Sequence, residues 1–180
     1  LKQFINLSSV MIHKNSEKYL PLNLYAATKK SFLDILKYYE TTLKNVKFYN
    51  LFLHDIYGEN DQRDKIIHTI IRNHKKNKRK NINSKKLALN LLNVEDVNQA
   101  INLIINKKIK SGDYIIKSNK FTNMVDLINK INLKIKKKIK FRVLNKEIEK
   151  EIRKKIKLLP YWKQKFTIEK DLIRYLDENN

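Results

Sequence analysis

The chain has 180 residues, 42% of them hydrophobic, which is enough for a core of ordinary domain size. Because it has no cysteine, no secretory signal and no apolar run of about 18 residues, thiol chemistry is excluded, no membrane partner is expected, and a cytoplasmic location is predicted. The formal net charge of +22 would suit a phosphate-rich partner, but lysine outnumbers arginine 34 to 6, which indicates a biased base composition of the gene.

The first half of the chain predicts alternating strands and helices. "QFINLSS" (Gln3 to Ser9) predicts a short buried strand, and apolar residues at helical spacing predict a helix from about Leu24 to Leu43. "VKFYNLFL" (Val46 to Leu53) is a continuous apolar run that predicts a strand buried on both faces, and a second helix is predicted from about Lys65 to His74.

The second half continues the alternation. "KLALNLLN" is an apolar segment, and "VEDVNQAINLIINKK" (Val94 to Lys108) predicts an amphipathic helix that is followed by a strand at "DYIIKS". We predict a helix with Thr122 as its N-cap, a strand at "KIKFRVL", a charged helix at "KEIEKEIRKKI" and a closing helix capped by Thr167. This order predicts an α/β fold with a mostly parallel sheet.

Two residue types limit the ligand sites. The only glycines are Gly58 and Gly112, so the chain holds neither a G-x-G-x-x-G turn nor a P-loop, both of which need several glycines. The four histidines have no metal-ligand spacing beside carboxylates, so no metal site is predicted, and His68 and His74 are interpreted as solvated helix residues.

The densest basic run, "RNHKKNKRKNINSKK" (Arg72 to Lys86), is interpreted as a solvated loop. It contains no aromatic residue to stack on a base, so nucleic acid is not the expected partner. The run nevertheless leaves one alternative function open, a basic module that binds nucleic acid or an acidic surface. Steep salt dependence of binding to DNA would support that alternative.

A tyrosine followed four residues later by a lysine occurs twice, as Tyr25 with Lys29 and as Tyr161 with Lys165. Composition alone predicts about 1.7 such pairs, so the spacing by itself carries little weight. On a helix, positions i and i+4 share one face, where an ammonium group favours the ionised phenolate as a proton acceptor.

Five stretches in order resemble the second half of the extended short-chain dehydrogenase/reductase family, in particular NAD-dependent epimerases and dehydratases of nucleotide sugars. "FINLSS" is similar to the strand that delivers the active-site Ser, "PLNLYAATK" to the Tyr-x-x-x-Lys helix, and "DIYGENDQRDKI" to a segment that many relatives write as "YGPxDxRxK". "NVEDVNQAI" is similar to "YVDDVxxA", and "LPYWKQKFTIEKDL" to "LPGWxPKxSLEEGL". The order selects Tyr25 over Tyr161.

The resemblance implies the second half of a Rossmann-type parallel sheet plus a small substrate-binding α/β lobe, with the N-terminal cofactor-binding half absent. Residues 1–75 would form the Rossmann-like part, and residues 76–180 mainly the substrate lobe, with 94–117 returning to the sheet. Isolated, such a chain is expected to be weakly stable, because it exposes a strand edge, and to bind no cofactor.

The resemblance also implies roles for three residues. Tyr25 would take a proton from a sugar hydroxyl while hydride leaves for the nicotinamide of NAD or NADP. Lys29 would hold the cofactor ribose beside Tyr25, and Ser9 would orient the reacting hydroxyl or ketone. Without the flanking motifs, the alternative is that Tyr25 is a half-buried helix residue and Lys29 a solvated one.

Three further residues are candidates for binding the nucleotide-sugar substrate. Asp55 stands where many relatives have an Asn near the sugar, although it can also cap the loop after the strand. Arg63 and Lys65 would reach the substrate diphosphate, although each can equally form an ion pair with Asp61 or Asp64.

Several positions depart from the family pattern. Val10 and Met11 stand where dehydratases carry an acid and base pair, which favours epimerisation or keto-sugar reduction over elimination of water. Leu89 stands where many relatives have a diphosphate-binding Arg, and His13 where they have a Tyr.

The leading hypothesis is therefore a fragment of an NAD(P)-dependent nucleotide-sugar epimerase or keto-reductase in carbohydrate biosynthesis, inactive alone. A partner chain that carries the N-terminal half and a homodimer are both compatible with it. A third hypothesis is a non-catalytic remnant of such an enzyme, retained as a fold fragment or as the partner of another chain.

Overall fold

A computed structural model describes residues 1–13, 20–59, 61–147 and 156–177. The chain divides into two compact units, each built from separate stretches of sequence. Unit 1 comprises 1–54, 97–117 and the described part of 149–163, and unit 2 comprises 55–96, 118–148 and the described part of 164–180. None of the helices in the described ranges combines the length and apolar character that a membrane crossing requires.

The elements follow one another in a strand and helix alternation. In chain order they are β1 (Gln3–Ser9), a 3-10 helix (Val10–Ile12), α1 (Leu24–Thr42), β2 (Lys47–Leu53), β3 (Asp55–Tyr57), α2 (Ile66–Lys75), β4 (Lys80–Ile82), β5 (Ala88–Leu89), β6 (Leu91–Asn93), α3 (Val94–Asn106), β7 (Gly112–Ile116), β8 (Thr122–Asn123), α4 (Met124–Lys134), β9 (Phe141–Val143) and α5 (Ile168–Asp177).

Three parallel strands form the sheet of unit 1, in the order β1-β2-β7. β2 lies in the centre and is buried at every residue but its first, which explains its continuous apolar sequence, since a central parallel strand is covered on both faces. Ser9 lies opposite Leu53, and Leu53 opposite Ile116, so the three strands end at one edge of the sheet. The predicted α/β class with a mostly parallel sheet is confirmed.

Helix α1 follows β1 and has a well-defined start. Asn23 is its N-cap, and the side-chain oxygen of Asn23 accepts a hydrogen bond of 3.0 Å from the N–H of Ala26. Just before the cap, the N–H of Leu22 donates to the carbonyl of Met11 over 3.3 Å, which ties the helix entry to the segment that follows β1. The buried residues of α1 are Ala26, Leu33 and Leu36.

Unit 2 contains three two-stranded pairs and three helices. β3 and β6 pair in parallel, as do β4 and β9, whereas β5 and β8 are antiparallel. Helices α2 and α4 both pack against α5 and enclose an apolar core. Fully buried members of this core include Ile67, Ile70, Ile82, Met124, Ile128, Ile131 and Leu172.

Buried polar side chains also hold unit 2 together. Asp171 on α5 accepts hydrogen bonds from the Tyr57 hydroxyl at 2.7 Å and from the Asn93 amide at 2.8 Å. Burial, with the Asp171 contact next in effect, raises the pKa of Tyr57. Asp96 is fully buried and accepts from the backbone N–H groups of Lys165 and Phe166 at 2.8 and 3.2 Å. These bonds tie α5 and the segment before it to β3, β6 and the start of α3.

The interpretations of the basic run Arg72 to Lys86 and of the two histidines of α2 are wrong. The run Arg72 to Lys86 is not a loop throughout, because its start completes α2 and Lys80–Ile82 pairs with β9. Ile82 is completely buried and anchors this strand in the core. His74 is 4% exposed rather than solvated, since it lies seven residues after Ile67 and so shares the buried face of α2. His68 is also largely buried, with 10% of its side chain exposed.

The predicted N-cap of α4 is wrong by one residue. Asn123, and not Thr122, caps α4, and its side-chain oxygen accepts from the N–H groups of Val125 and Asp126. Asn is at least as strong an N-cap as Thr, so the adjacent pair leaves the sequence ambiguous. The predicted helix at "KEIEKEIRKKI" falls mostly outside the described residues, and α5 starts directly after Thr167. The assignment of 1–75 and 76–180 to cofactor and substrate stays a prediction.

Candidate active site

Ser9 is the last residue of β1 and lies at the edge of the sheet where all three strands end. In parallel α/β sheets this edge is where ligands bind. Ser9 is 6% exposed, and its hydroxyl oxygen accepts a hydrogen bond of 3.2 Å from the N–H of Met11. A hydroxyl accepts and donates at once, so this bond orients Ser9 and leaves its hydrogen able to bind another oxygen.

Tyr25 and Lys29 lie one turn apart on α1. The Lys29 ammonium is 5.7 Å from the centroid of the Tyr25 ring. The same ammonium donates a hydrogen bond of 2.9 Å to the carbonyl of Leu7, which stands two residues before Ser9 on β1. Tyr25 is 53% exposed, so part of its side chain can contact a ligand. Lys29 thus joins the tyrosine to the strand that ends in Ser9.

This arrangement places a phenol, an ammonium and a hydroxyl in one part of unit 1. An ammonium has three hydrogen-bond donors, and the Leu7 carbonyl uses one of them, so two remain for a hydroxylated ligand. Together these three groups can donate and accept hydrogen bonds with a hydroxylated ligand.

The other Tyr-x-x-x-Lys match does not form a pair on one helix face. Tyr161 lies outside any helix with a positive φ of 64°, and 72% of its surface is exposed. Its ring faces the ammonium of Lys107 at 5.1 Å, and Lys165 belongs to the other unit. The i, i+4 spacing brings two side chains onto one face only when the backbone is helical.

The predicted substrate residues lie in unit 2, whereas Ser9, Tyr25 and Lys29 lie in unit 1. Asp55 opens β3, and the Lys65 ammonium is 3.9 Å from its carboxylate. Burial raises the pKa of the Asp55 carboxyl, and the charge of Lys65 opposes this shift. Asp55 and Lys65 are thus brought together in a weakly paired arrangement.

Arg63 forms a bidentate ion pair with Asp61. The guanidinium donates two hydrogen bonds of 2.7 Å to the two carboxylate oxygens, and this contact lowers the pKa of Asp61 to about 2. The sequence left two roles for Arg63, diphosphate binding or a surface ion pair, and the ion pair is present. Arg72, the first residue of the basic run, donates a single hydrogen bond of 2.6 Å to Asp64.

Sequence reasoning missed two contributors to this geometry. Asn23 fixes the start of α1 and hence the direction of Tyr25, and its position two residues before Tyr25 is a signal that the sequence did contain. The Leu7 carbonyl is a backbone group, so no residue type marks it. Among the described side chains, no three His, Asp or Glu residues group as metal ligands would.

Comparison with known proteins identifies the family of the sequence. Residues 1–116 match the model of the NAD dependent epimerase/dehydratase family. The chain is similar to CDP-abequose synthase from Salmonella muenchen, with 28% identity over 134 residues, which is 72% of this chain and 45% of that protein.

Solved structures agree with the fold. UDP-N-acetylglucosamine 4-epimerase from Methanobrevibacter ruminantium, in complex with UDP-N-acetylmuramic acid, is 18% identical, with a TM-score of 0.75 over 98% of this chain and 62% of that one. UDP-glucuronic acid 4-epimerase from Bacillus cereus, in complex with UDP-glucuronic acid and NAD, is 16% identical, with a TM-score of 0.77 and the same coverage. The chain therefore spans about half to two thirds of the length of these relatives.

Proposed function

Because the chain belongs to the NAD dependent epimerase/dehydratase family, we propose that it supplies the proton-transfer part of an enzyme that moves hydride at a sugar carbon of a nucleotide sugar. Tyr25 is the acid/base, Lys29 supports it, and Ser9 orients the reacting oxygen. Asp55, Arg63 and Lys65 are the proposed contacts to the nucleotide-sugar substrate.

The observation that carries this proposal is the double contact of Lys29. One ammonium lies beside the Tyr25 ring and also bonds the Leu7 carbonyl, two residues before Ser9. Strand geometry puts Leu7 and Ser9 about 7 Å apart, so the lysine contacts β1 close to the end that carries Ser9. A chance pairing on a solvated helix face would not require this bond to the strand.

Each of the three residues has a distinct task in the proposed reaction. Tyr25, as phenolate, takes the proton of the sugar hydroxyl while the carbon loses hydride, and as phenol it returns a proton in the reverse direction. Lys29 supports Tyr25 with a positive charge beside the ring. The Ser9 hydroxyl donates to the sugar oxygen, since its own oxygen is already held by the N–H of Met11.

The residues present fit one end of a nicotinamide cofactor. The cofactor supplies, when bound, the carbon that accepts or returns hydride. The two free donors of Lys29 suit a ribose diol, and Tyr25 lies beside them. The pyrophosphate requires a Gly-rich turn, and Gly58 and Gly112 are too few to form one. We therefore propose that turnover needs a cofactor-binding half in addition to these 180 residues, and that the chain is inactive without it.

The departures after Ser9 favour epimerisation or keto-sugar reduction over dehydration. Elimination of water needs an acid and a base beside the active-site hydroxyl, and Val10 and Met11 have neither. Leu89 lies in β5 and cannot contact a diphosphate as an arginine does, so we propose that Arg63 or Lys65 takes that role.

The test joins this chain to a cofactor-binding half from a related enzyme and supplies UDP- and CDP-activated sugars. It follows nicotinamide absorbance in single turnovers and the sugar product at steady state, because epimerisation returns the hydride and leaves no net change in absorbance. Tyr25→Phe should lower the rate of hydride transfer by about 10²–10⁴-fold while cofactor affinity stays nearly unchanged. Lys29→Met should weaken both cofactor binding and rate, because it removes the donors and the charge together.

Tyr161→Phe is the matched control, since it removes a hydroxyl from the other spaced pair. It should leave rate and affinity unchanged. Equal rates for Tyr25→Phe and the unaltered fusion would contradict the assignment of Tyr25. A fusion that binds cofactor yet turns over no nucleotide sugar would instead support a non-catalytic remnant.

A further inference from the structure

Unit 2 has a groove that none of the proposed catalytic or substrate residues line. Its volume is about 430 Å³, within the range of small-molecule sites. Strand β8, one face of α4 and the first residues of α5 form its walls. The groove is open to ligands of the size of a nucleotide or smaller.

The charges around this groove are mostly positive. Four lysines and two carboxylates line it, namely Lys120, Lys130, Lys134, Lys170, Asp126 and Glu169. One lysine is already neutralised, because Lys134 bonds Glu169 at 2.6 Å. Within the described ranges the side chains of the other three lysines have neither an ion pair nor a hydrogen bond. Asp126 is the second carboxylate of the lining, so the four lysines still outnumber the acids by two.

The pKa of Glu169 indicates that three of these lysines act on the same carboxylate. Its bond with Lys134 lowers the pKa of Glu169, and the charges of Lys130 and Lys120 add to that effect. A carboxylate at this place is therefore stabilised by three cations, Lys120 just before β8 and Lys130 and Lys134 on α4. An anion with more charge than a carboxylate would be favoured more strongly.

The floor of the groove is apolar. Leu127 is 3% exposed and Ile168 is 7% exposed, and the half-buried ring of Phe121 lies in the same lining. A cationic rim above an apolar floor suits an anion joined to an organic group, whereas a lysine-covered flat surface would bind salt without preference.

We propose that this groove binds the phosphate or diphosphate group of a small molecule. Lys120, Lys130 and Lys170 hold the phosphate oxygens as point charges, and Lys134 joins them when Glu169 is displaced. The arrangement combines a concave lining with Glu169, an acid that Lys134 already pairs. An excess of lysine spread over the whole surface would not by itself give this combination. The site is separate from the proposed hydride transfer.

The first experiment titrates inorganic pyrophosphate and, separately, UDP into the full chain by calorimetry at low ionic strength. The triple variant Lys120→Gln, Lys130→Gln, Lys170→Gln should weaken binding by at least about ten-fold. The matched control Lys37→Gln, Lys44→Gln, Lys108→Gln removes the same charge from exposed positions of unit 1 and should change affinity less than two-fold or so. Equal loss in both variants, or no binding by the unaltered chain, would overturn the proposal.

A second variant tests the site by a gain of affinity, which an unfolded protein cannot show. Glu169→Gln frees Lys134 and should tighten pyrophosphate binding about three-fold or more. Glu40→Gln adds the same charge on α1 and should have little effect. Tighter binding of UDP than of pyrophosphate would assign the ligand to nucleoside diphosphates, and equal affinity would assign it to the free anion. No gain in Glu169→Gln would count against the groove.

Discussion

Asp171 is a buried carboxylate that two buried donors share, the Tyr57 hydroxyl and the Asn93 amide. Replacing Asp171 by Ala leaves both donors without their acceptor in the core of unit 2. We expect the free energy of unfolding to fall by about 2–4 kcal/mol, measured from urea denaturation. Tyr57→Phe removes a single bond and should cost only about 1 kcal/mol. Equal costs for the two variants would show that Asp171 is not the centre of this network.

Asp61 predicts a specific pH dependence. Its contact with Arg63 lowers the pKa to about 2 in the folded chain, from an ordinary 3.8. The pair therefore contributes stability above about pH 4 and loses it as the pH falls from about 4 to about 2. Because Arg63 is 62% exposed, solvent screening limits the effect to less than about 1 kcal/mol. Asp61→Asn should remove this part of the acid-induced loss.

Asp96 is expected to titrate in the opposite direction. Burial raises the pKa of Asp96, although the N–H groups of Lys165 and Phe166 oppose the shift. The folded state therefore favours the protonated form, so this group adds stability as the pH falls through its raised pKa. Carboxyl NMR titration should find the midpoint of Asp96 above the ordinary 3.8 and that of Asp61 below it. A midpoint for Asp96 at or below that of Asp61 would contradict the assigned causes.

At the scale of elements, the start of α1 is the part on which the proposed site depends most. Asn23→Ala removes the bond to the Ala26 N–H and should lower the free energy of unfolding by about 1 kcal/mol. Asn23→Asp keeps an acceptor at the same place and should cost little. In the fused enzyme, Asn23→Ala should also slow turnover, because Tyr25 lies in the first turn. An unchanged rate with a reduced stability would show that the cap supports only the helix.

The long elements were predictable, and so was the short strand β9 within "KIKFRVL", whereas β4 and β5 were not predicted as strands. β2 and α1 agree with their predicted bounds to within a residue or so, because an apolar run and a helical period are local signals. β4 has only three residues and β5 only two, and each exists through pairing with β9 or β8. The sequence of β4 is Lys-Asn-Ile, and only Ile82 hints at its place in the core.

The same limit applies to the candidate site. Tyr25, Lys29 and Ser9 could be selected from the order of motifs, because side chains carry those signals. The bond from Lys29 to the Leu7 carbonyl and the pairing of Arg63 with Asp61 depend on how the backbone folds. Three-dimensional placement thus decides which cations of this lysine-rich chain are already paired.

At the scale of the whole molecule, both units are discontinuous in sequence. The chain returns to unit 1 at residue 97 and to unit 2 at residues 118 and 164. Each return carries an element that completes a core or a sheet, such as β7 beside β2 and α5 beside α2. Folding of each unit therefore requires contacts between residues far apart in the chain, which slows folding relative to locally connected helices.

The net charge of +22 predicts that salt stabilises the folded chain. Repulsion among lysines opposes the compact state, and raising the ionic strength from about 20 to about 200 mM shortens the Debye length to less than the spacing of most surface charges. Ion pairs lose strength in the same change, but exposed pairs contribute little at any salt concentration. We expect the thermal midpoint to rise by about 2–4 °C, which corresponds to about 1 kcal/mol for a chain of this size.

The control variant Lys37→Gln, Lys44→Gln, Lys108→Gln should raise the midpoint at low salt and respond less to added salt. A midpoint that falls with salt would mean that attractive pairs outweigh the repulsion.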